Sequence, residues 1–596
     1  MNETLFCVEN LRVAYPGSKS GETTRWAVDD VSFTLNPGQR LGLVGESGCG
    51  KSTLGRAAMR LLSASTQVEG KVKFKGKSVF DLTPSELRKF RGEAVALIFQ
   101  DPMTRLDPLM TIGEHCLETL RAHQPELSRK ACKDKAIETL ETVKIPESRF
   151  SQYPHEFSGG MRQRVAIALA LLLNPKLIVA DEPTTSLDVT VSAEILTELT
   201  RLCREREMGL LLISHDLAMV GEYCDRIAVM YQGKIVETGA IQDILRKPQH
   251  EYTRSLLQAA LHIQAVSDDK ADLAADLAAD ELSGLARGLA GDLAADELLV
   301  SSGKISNLSA EIDRSSATSA TKSAAKAILE IKELKQYYTL EQNFVAQLFT
   351  KDKQFIKAVD EITFDLIKGE VLGLVGESGC GKSTLSRTIL QLIRPTSGTV
   401  EFEGKDLTKL NKKSLQEKRR QIQMIFQDPH ACLNPLMRVG ESIADPLFIH
   451  NLATPGEAKE RVEAMLKRVG LTPVEEYYYR YPGDLSGGQQ QRVAIARALI
   501  THPSLVICDE PVSMLDASVQ TQVLELMQSL KDEFNLTYLF ITHDLWVARF
   551  FCDRIAVMYQ GKIVELRETE ELFRNPQHPY TKTLLSAAPL LATQMG

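Results

Sequence analysis

Nine residues, GESGCGKST, occur twice in this chain, at positions 45–53 and again at 376–384. Each copy follows a short apolar run, RLGLV or VLGLV, and precedes a pattern of apolar residues at helical spacing. Other matching segments accompany both copies in the same order, and DRIAVMYQGKIVE occurs verbatim at Asp225 and at Asp553. This order indicates two copies of one large unit in series, rather than a solenoid of short repeats.

The repeats divide the chain into a first domain at 1–262, a linker at 263–326 and a second domain at 327–596. The linker contains DLAAD three times, followed by a stretch rich in Ser, Ala and Thr. It has too few bulky apolar residues to form a core of its own. We therefore expect a tether that is long enough to let the two domains face each other.

Charge and hydropathy argue against two classes of function for the chain on its own. The net charge is −8 and the pI is near 5.9, whereas binding to a nucleic-acid backbone requires a basic face. The longest apolar run, Val165–Leu173, is far shorter than the ~20 residues that span a bilayer. If the protein works at a membrane, another chain must supply the membrane-spanning part.

The repeated nonamer matches the phosphate-loop pattern G-x-x-x-x-G-K-[ST]. A strand, a glycine-rich loop and a helix N-terminus direct several backbone N–H groups at one point, which suits a phosphate chain. We expect Lys51 and Lys382 to reach the β- and γ-phosphates of ATP. The hydroxyls of Ser52 and Ser383 are expected to bind Mg²⁺. The other loop residues expected to hold the nucleotide are Gly45, Gly48, Gly50, Thr53, Gly376, Gly379, Gly381 and Thr384.

Each repeat also has an apolar strand that ends in two carboxylates, KLIVADE in the first and SLVICDE in the second. Asp181 and Asp509 are expected to hold Mg²⁺, directly or through water. Glu182 and Glu510 would then lie beside the γ-phosphate, where a base or orienting group for the attacking water is required. The alternative is an acidic pair that is simply exposed at the end of a strand.

Further shared segments resemble the motifs of ATP-binding-cassette (ABC) ATPases. FSGGMRQR and LSGGQQQR resemble the signature motif, whose serine and glycines open a helix and form a second anion site. The residues that match the signature are Ser158, Gly159, Gly160, Ser486, Gly487 and Gly488.

The same resemblance implies roles for three further pairs of residues. Gln100 and Gln427, in LIFQDP and MIFQDP, resemble the Q-loop glutamines, which contact Mg²⁺. His215 and His543 each follow an apolar strand and resemble the switch histidine, a neutral donor to the γ-phosphate. The D-loop aspartates would be Asp188, in SLDVT, and Asp516, in MLDAS.

A tyrosine that stacks on adenine is expected before each phosphate loop. Tyr15 in NLRVAYPG has this place in the first repeat, and Tyr338 in ELKQYYTL is its counterpart in the second. The adjacent Tyr337 is an alternative if the alignment slips by one residue. An ordinary tyrosine on an edge strand is the alternative for each.

The resemblance implies an α/β fold with two tandem P-loop ABC nucleotide-binding domains. Each would have a mainly parallel sheet, an antiparallel β subdomain, a helical subdomain and a short C-terminal extension. It also implies two composite sites arranged head to tail, because the phosphate loop of one domain faces the signature of the other. Lys51 would thus be paired with Ser486 and Gly488, and Lys382 with Ser158 and Gly160. Both repeats retain every motif, so both sites are expected to hydrolyse ATP.

Within the ABC family the chain resembles the ATPases of oligopeptide and dipeptide importers, some of which are fused double ATPases. The segments after the Q-loops, 101–114 and 428–441, and the repeat ends KPQHEYT and NPQHPYT support this. The resemblance implies two transmembrane permease subunits, a substrate-binding protein and a peripheral position on the cytoplasmic face of the bacterial inner membrane. The apolar residues of the two segments are expected to contact a helix of the membrane partner, and Leu106 and Leu436 are the positions chosen for charge substitution. These apolar residues are Met103, Leu106, Leu109, Met110, Leu433, Leu436 and Met437. Peptides, glutathione, metal complexes and antibiotics all remain open as solutes.

The alternative function is that of a soluble translation factor with two tandem cassettes. Such a factor typically has a long, basic, helical segment between its domains that contacts RNA. Here the intervening segment is acidic and rich in Ala and Ser, which is unfavourable for contact with phosphate groups. The sequence therefore favours the importer ATPase.

Overall fold

The computed structural model describes residues 4–16, 26–100, 105–184, 187–264, 326–339 and 355–588. Most of the predicted linker lies outside the described residues. The first repeat is described as far as Gln264, at the end of a helix, two residues beyond the predicted boundary at 262. The two repeats fold into units of the same topology.

The first unit alternates strands and helices. Its strands are β1 (Phe6–Ala14), β2 (Trp26–Leu35), β3 (Arg40–Val44), β4 (Gln67–Phe74), β5 (Lys77–Ser78), β6 (Val95–Ile98), β7 (Leu177–Asp181), β8 (Gly209–Ser214), β9 (Arg226–Tyr231) and β10 (Lys234–Ala240). Its α-helices are α1 (Lys51–Ala58), α2 (Pro84–Lys89), α3 (Ile112–His123), α4 (Arg129–Thr142), α5 (Gly159–Leu171), α6 (Val189–Glu205), α7 (Leu217–Tyr223), α8 (Ile241–Arg246) and α9 (Glu251–Gln264).

The second unit repeats this order. Its strands are β11 (Ala327–Thr339), β12 (Phe355–Ile367), β13 (Val371–Val375), β14 (Ser397–Phe402), β15 (Lys405–Asp406), β16 (Ile422–Ile425), β17 (Leu505–Asp509), β18 (Thr537–Thr542), β19 (Arg554–Tyr559) and β20 (Lys562–Glu568). Its α-helices are α10 (Lys382–Ile389), α11 (Lys412–Arg419), α12 (Pro429–Cys432), α13 (Val439–Ile449), α14 (Pro455–Arg468), α15 (Val474–Tyr479), α16 (Gly487–Leu499), α17 (Ala517–Phe534), α18 (Leu545–Phe551), α19 (Thr569–Arg574) and α20 (Pro579–Ala587).

A mainly parallel six-stranded sheet forms the centre of each unit. The strand order is β10-β9-β3-β8-β7-β6 in the first unit and β20-β19-β13-β18-β17-β16 in the second. The strands β3, β7 and β8 are buried on both faces, which explains their continuous apolar sequences. Because the strands run parallel, the phosphate loop after β3 and the carboxylates at the end of β7 meet at the same edge of the sheet.

Two smaller layers complete each unit. A four-stranded antiparallel sheet has the order β2-β1-β4-β5 in the first unit and β12-β11-β14-β15 in the second. A helical layer is formed by α3, α4 and α5, and by α13, α14 and α16. The predicted α/β fold with parallel, antiparallel and helical parts is therefore confirmed.

The C-terminal helices of the two units pack on the opposite unit. Helix α9 of the first unit lies against α17 and α18 of the second, and α20 of the second lies against α6 of the first. Ile263 of α9 is buried in the apolar core of the second unit. The His262 ring lies 5.2 Å from the Phe550 ring. The extension of each unit is therefore part of the contact between the two.

Candidate active sites

The two phosphate loops have the strand–loop–helix context that the sequence predicts. Gly50 has a φ of 106° and Gly381 a φ of 110°, and each directly precedes the helix that begins with the loop lysine. A Cβ atom on Gly50 would lie 2.2 Å from the carbonyl oxygen of Ala27, and one on Gly45 would lie 2.1 Å from that of Met230. Only glycine fits at these two positions, and their closeness to neighbouring backbone fixes the path of the loop.

The lysine of each loop is buried and lies folded over the loop itself. Lys51 Nζ donates hydrogen bonds to the carbonyl oxygens of Gly45, at 2.6 Å, and Glu46, at 2.8 Å. Lys382 Nζ donates in the same way to Gly376, at 2.5 Å, and Glu377, at 3.1 Å. An ammonium group is thus held at the centre of each loop, where it suits a phosphate chain.

Paired oxygen donors lie next to each loop. The hydroxyl of Ser52 donates to Asp181 Oδ1 at 2.7 Å, and that of Ser383 donates to Asp509 Oδ1 at 3.4 Å. Burial raises the pKa of both carboxyl groups, although the hydrogen bonds from the serines oppose this. A hydroxyl and a carboxylate are the oxygen ligands that Mg²⁺ prefers, so these residues fit the ion predicted for the site.

The carboxylates expected to act as bases are contacted by the Q-loop glutamine and by the histidine of the same unit. Glu182 accepts a hydrogen bond from Gln100 Nε2 at 3.0 Å, and its Oε1 lies 3.4 Å from His215 Nδ1. Each glutamate has a left-handed backbone, with a φ of 47° at Glu182 and 49° at Glu510. Such a backbone is uncommon for glutamate and is retained where the surrounding structure imposes it.

The second unit has the same constellation with shorter distances. Glu510 Oε2 accepts from Gln427 Nε2 at 2.9 Å and lies 3.0 Å from His543 Nδ1. Burial raises the pKa of Glu510, but the hydrogen bond and charge of His543 outweigh it, so that the net pKa is lowered. Burial likewise lowers the pKa of His543, yet the contact with Glu510 raises it overall. Each side chain therefore favours the charged form of the other, whereas the resemblance implies a neutral histidine at this position.

The signature serines are helix N-caps. The side chain of Ser158 accepts a hydrogen bond from the N–H of Met161, and that of Ser486 accepts from the N–H of Gln489. Each serine thus lies at the positive end of a helix dipole, at the start of α5 or α16, as an anion site requires. That each faces the phosphate loop of the opposite unit stays a prediction.

The D-loop aspartates join the two units at the phosphate loops. Asp516 of the second unit accepts a hydrogen bond from the N–H of Ser47 in the first, at 2.8 Å. Asp188 of the first unit accepts one from the N–H of Ser378 in the second. Beside them, Ser518 donates its hydroxyl to the Glu46 carboxylate at 2.9 Å, and Thr190 donates to the Glu377 carboxylate. Each phosphate loop is therefore contacted by the opposite unit.

Tyr338 lies on β11, and Tyr15 follows directly after β1 at the matching position. Asn10 and Glu333, five residues earlier, both have a left-handed backbone, with φ values of 50° and 48°. Tyr15 and Tyr338 are 48% and 39% exposed, which leaves their rings available to a ligand. Tyr337 instead donates its hydroxyl to Asp360 at 2.5 Å. This geometry favours Tyr338 over the alternative.

One part of the docking prediction is wrong. Leu106, expected to contact a membrane partner, is only 5% exposed and belongs to the core of the helical layer. Its counterpart Leu433 is 3% exposed. The exposed pair is Leu109, at 83%, and Leu436, at 85%. Met103 of the same segment lies outside the described residues.

Two contacts at the phosphate loops were missed from the sequence. The hydroxyl of Tyr252 accepts a hydrogen bond from the N–H of Glu46 at 3.0 Å, and that of Tyr580 accepts from the N–H of Glu377 at 3.1 Å. Both tyrosines lie in the repeat ends KPQHEYT and NPQHPYT. The repetition of this motif was a signal, but nothing in it indicates a partner some 200 residues earlier.

The described part of the chain contains no helix that is both long enough and apolar enough to cross a membrane. A family model described as ABC transporter matches residues 28–185 and 359–513. A second, described as oligopeptide/dipeptide transporter, C-terminal region, matches residues 236–282 and 564–595. The second model covers the extensions that contain Tyr252 and Tyr580.

Two curated relatives match along nearly the whole chain. One is the glutathione import ATP-binding protein GsiA of Pectobacterium atrosepticum, 40% identical over 592 residues, with 98% of this chain and 89% of that protein covered. The other is the GsiA protein of Escherichia coli (strain K12), 40% identical over 598 residues, with coverages of 98% and 90%. A solved dimeric ATP-binding cassette bound to ADP and phosphate covers 40% of this chain and 98% of its own, at 30% identity and a TM-score of 0.36.

These relatives are import proteins, and they give no support to the translation-factor alternative. The phosphate loop of each unit, with the strand and helix that flank it, lies inside a segment that the ABC transporter model matches. With such loops in both units and relatives aligned along 98% of its length, the chain belongs to the ABC transporter family as a double ATP-binding subunit that hydrolyses ATP.

Proposed function

We propose that this protein hydrolyses ATP with Mg²⁺ at two composite sites and thereby powers the import of peptide-like solutes, glutathione among them. The reciprocal contacts of Asp516 with Ser47 and of Asp188 with Ser378 support this most directly. Because each D-loop touches the opposite phosphate loop, closure of the two units and occupancy of the sites are linked. Similarity to the glutathione import proteins supports the class of solute.

In the first site, the loop around Lys51 binds the phosphates, and Ser52, Asp181 and Gln100 hold Mg²⁺. Charge on the phosphates would be neutralised by an ion held by these residues. Glu182 accepts a proton from the attacking water, and His215 holds Glu182 from one side while Gln100 holds it from the other. Ser486 and Gly488 of the second unit close the site, and Tyr15 stacks on the adenine.

The second site uses the matching residues. Lys382 binds the phosphates, Ser383, Asp509 and Gln427 hold Mg²⁺, and Glu510 with His543 activates the water. Ser158 and Gly160 of the first unit close it, and Tyr338 stacks on the adenine. Both sites are competent for hydrolysis because neither lacks a motif.

Each unit docks one membrane subunit through the segment after its Q-loop. Leu109 and Leu436 are large apolar side chains almost fully exposed in these segments, which suits contact with a short partner helix. In the first unit a cavity of about 300 Å³ lies beside the segment and is lined by Phe99, Arg105 and Leu106 among others. Because the segment follows Gln100, a helix bound there can shift this glutamine relative to Glu182.

Two docking segments imply two permease subunits, and the solute reaches them through a substrate-binding protein. The chain then lies on the cytoplasmic face of a bacterial inner membrane, held there by its partners. Residues 263–326 act as a tether that keeps the two domains at high effective concentration. A Gly/Ser replacement of residues 265–325, which leaves the buried Ile263 in place, should keep ATP hydrolysis near the wild-type rate, and a large loss would show a specific role for the DLAAD segment.

Deletion of the gene tests the proposed function in the cell. Accumulation of labelled glutathione or of a labelled small peptide should fall, and the wild-type gene should restore it. A gene with Glu182→Gln and Glu510→Gln should not restore it, because the permease would lack its energy source. Normal accumulation of all candidate solutes, together with altered ribosome profiles, would overturn the proposal in favour of a translation factor.

A further inference from the structure

We propose that Tyr252 and Tyr580 are positioning residues for ATP binding, which hold the first turn of each phosphate loop from the C-terminal extension of the same unit. The inference rests on the proposed ATP sites. It assigns a task to the PQH-x-YT segment, which the mechanism above does not use.

The contact is the same in both units. The hydroxyl of Tyr252 accepts from the N–H of Glu46 at 3.0 Å, and Glu46 is the second residue of the nonamer. The hydroxyl of Tyr580 accepts from the N–H of Glu377 at 3.1 Å. The segments that make this contact are repeated in the sequence, so the contact belongs to the repeated unit as a whole.

Each tyrosine ring is itself held in place. Tyr252 stacks on Tyr231 with 4.2 Å between ring centroids, and Tyr580 lies at the same distance from Tyr559. Tyr231 and Tyr559 end strands β9 and β19, which pair with β3 and β13, the strands that lead into the phosphate loops. The hydroxyl is therefore fixed relative to the sheet that bears the loop.

The rest of the motif builds the turn that presents the tyrosine. The Glu237 carboxylate accepts from the N–H groups of Gln249, at 2.7 Å, and His250, at 3.1 Å. His250 Nδ1 in turn accepts from the N–H of Tyr252 at 3.1 Å. Glu565, Gln577, His578 and Tyr580 make the same bonds in the second unit. The glutamine and the histidine before each tyrosine thus form this turn with the glutamate.

The opposite unit contacts Glu46 as well, together with the next residue of the loop, Ser47. The Glu46 carboxylate accepts from Ser518, and the N–H of Ser47 donates to Asp516. Helix α9, which contains Tyr252, packs on α17, the helix that begins directly after Asp516. The loop, the extension and the opposite D-loop thus form a closed set of contacts. Movement of one unit relative to the other is transmitted to the loop by two routes, the D-loop and the tyrosine.

The double variant Tyr252→Phe/Tyr580→Phe tests the proposal, because it removes both hydroxyls and keeps both ring stacks. The Glu46 and Glu377 N–H groups lose an acceptor, so the nucleotide-free loops become less ordered and ATP must order them on binding. We expect the KM and the Kd for ATP to rise roughly three- to tenfold. The value of kcat should stay within about twofold, because Glu182 and Glu510 are untouched.

Tyr231→Phe/Tyr559→Phe is the matched control. It removes the hydroxyls of the stacking partners, which accept hydrogen bonds only from the neighbouring side chains of Gln232 and Gln560 among the described contacts. The control should bind and hydrolyse ATP as the wild type does. If the ATP sites themselves were misassigned, the wild type and the control would both fail to bind ATP, which separates that failure from failure of the tyrosine proposal.

Amide hydrogen exchange gives a readout that a merely structural role would not change. In nucleotide-free protein, Tyr252→Phe alone should speed exchange in the first phosphate loop and leave the second as in the wild type. The two loops are identical, but the flanking residues Arg40 and Val371 distinguish their peptides. The single variants also serve if the double variant is too unstable to purify. Unchanged exchange with unchanged KM and Kd, or a loss of kcat at constant KM, would overturn the proposal.

Discussion

The carboxylate of Asp516 lies 2.8 Å from the backbone nitrogen of Ser47, although 469 positions separate the two residues in the chain. Asp188 and Ser378 form the reciprocal contact. Neither aspartate side chain caps the helix that follows it, so its hydrogen bond is directed to the other unit. Each phosphate loop is thereby tied to the D-loop of the opposite unit.

Replacing both aspartates with alanine should weaken this tie without unfolding either unit. A hydrogen bond to a charged group is worth about 1.5–3 kcal/mol. We therefore expect Asp188→Ala/Asp516→Ala to lower the rate of ATP hydrolysis by about tenfold or more and to reduce cooperativity between the sites. Phosphate release measured against ATP concentration checks both effects. A hydrolysis curve that matches the wild type would show that the contacts are not needed for the reaction.

Replacing the two glutamates should separate hydrolysis from binding. Glu182→Gln/Glu510→Gln keeps the size of each side chain and an acceptor for the Gln100 or Gln427 amide, but removes the base. Turnover should fall by about 10²–10⁴-fold, and nucleotide binding should remain because Lys51 and Lys382 are unchanged. Steady-state hydrolysis and equilibrium binding measure the two properties. Turnover near the wild-type rate would exclude the assigned role.

A charge on the exposed leucines should release the protein from its membrane partners. Leu109→Asp/Leu436→Asp places a carboxylate on each docking segment, where burial against an apolar helix would be costly. Membrane fractionation should then find the protein unbound, while its ATP hydrolysis in solution stays within about twofold of wild type. Val68→Asp, at an exposed position on the antiparallel sheet, is the matched control and should stay membrane-bound.

Leu106→Asp provides the opposite control on the same segment. Because Leu106 is buried in the helical layer, a carboxylate there should lower the free energy of unfolding by several kcal/mol rather than act on docking alone. Normal membrane association of the Leu109/Leu436 double variant would contradict the docking surface.

The pair of Glu510 and His543 should give the nucleotide-free protein a defined pH dependence of stability. The pKa of His543 is raised above its ordinary 6.5. Its contribution to the free energy of unfolding is therefore complete below pH 6.5 and is lost as the pH rises through the folded pKa. The pKa of Glu510 is lowered below its ordinary 4.5, so its contribution is present above pH 4.5 and is lost as the pH falls through the folded pKa.

Both contributions are therefore complete between about pH 4.5 and 6.5. His543→Asn should destabilise the second unit by on the order of 1 kcal/mol in this window and by less at pH 8. Thermal unfolding of the wild type and the variant across this range measures the difference. A difference that is constant, or that grows toward pH 8, would show that the two side chains do not form an ion pair.

The features that the sequence predicts correctly are local or depend on order along the chain. The phosphate loops follow from a strand, a glycine-rich loop and a helix in succession, and each motif repeats in the same order. The sequence could not show which leucine of the docking segment is buried. Leu106 and Leu109 are the same residue type, and only the folded structure places Leu106 against the helical core and leaves Leu109 exposed. Tyr337 and Tyr338 were ambiguous because shifts in the pairing of β11 with β12 interrupt the alternation of faces.

Contacts between segments that lie far apart in the chain also could not be predicted from the sequence. The partner of the Tyr252 hydroxyl is Glu46, 206 residues earlier, and the sequence offers no periodicity that connects them. The left-handed backbone of Glu182 and Glu510 could not be predicted either, because glutamate is not a residue type that favours this conformation. Both features arise from how the strands are ordered in the sheet, which is fixed only when the whole unit folds.

Uptake by a reconstituted complex tests the central claim most directly. The purified chain would be assembled with its membrane subunits in proteoliposomes, and entry of labelled glutathione and of labelled dipeptides would be followed with and without MgATP. We predict uptake of at least one of these solutes that requires ATP and is abolished by Glu182→Gln/Glu510→Gln. Uptake that is equally fast without ATP or with the glutamine variant, or no uptake of any such solute by a complex that hydrolyses ATP, would contradict the account.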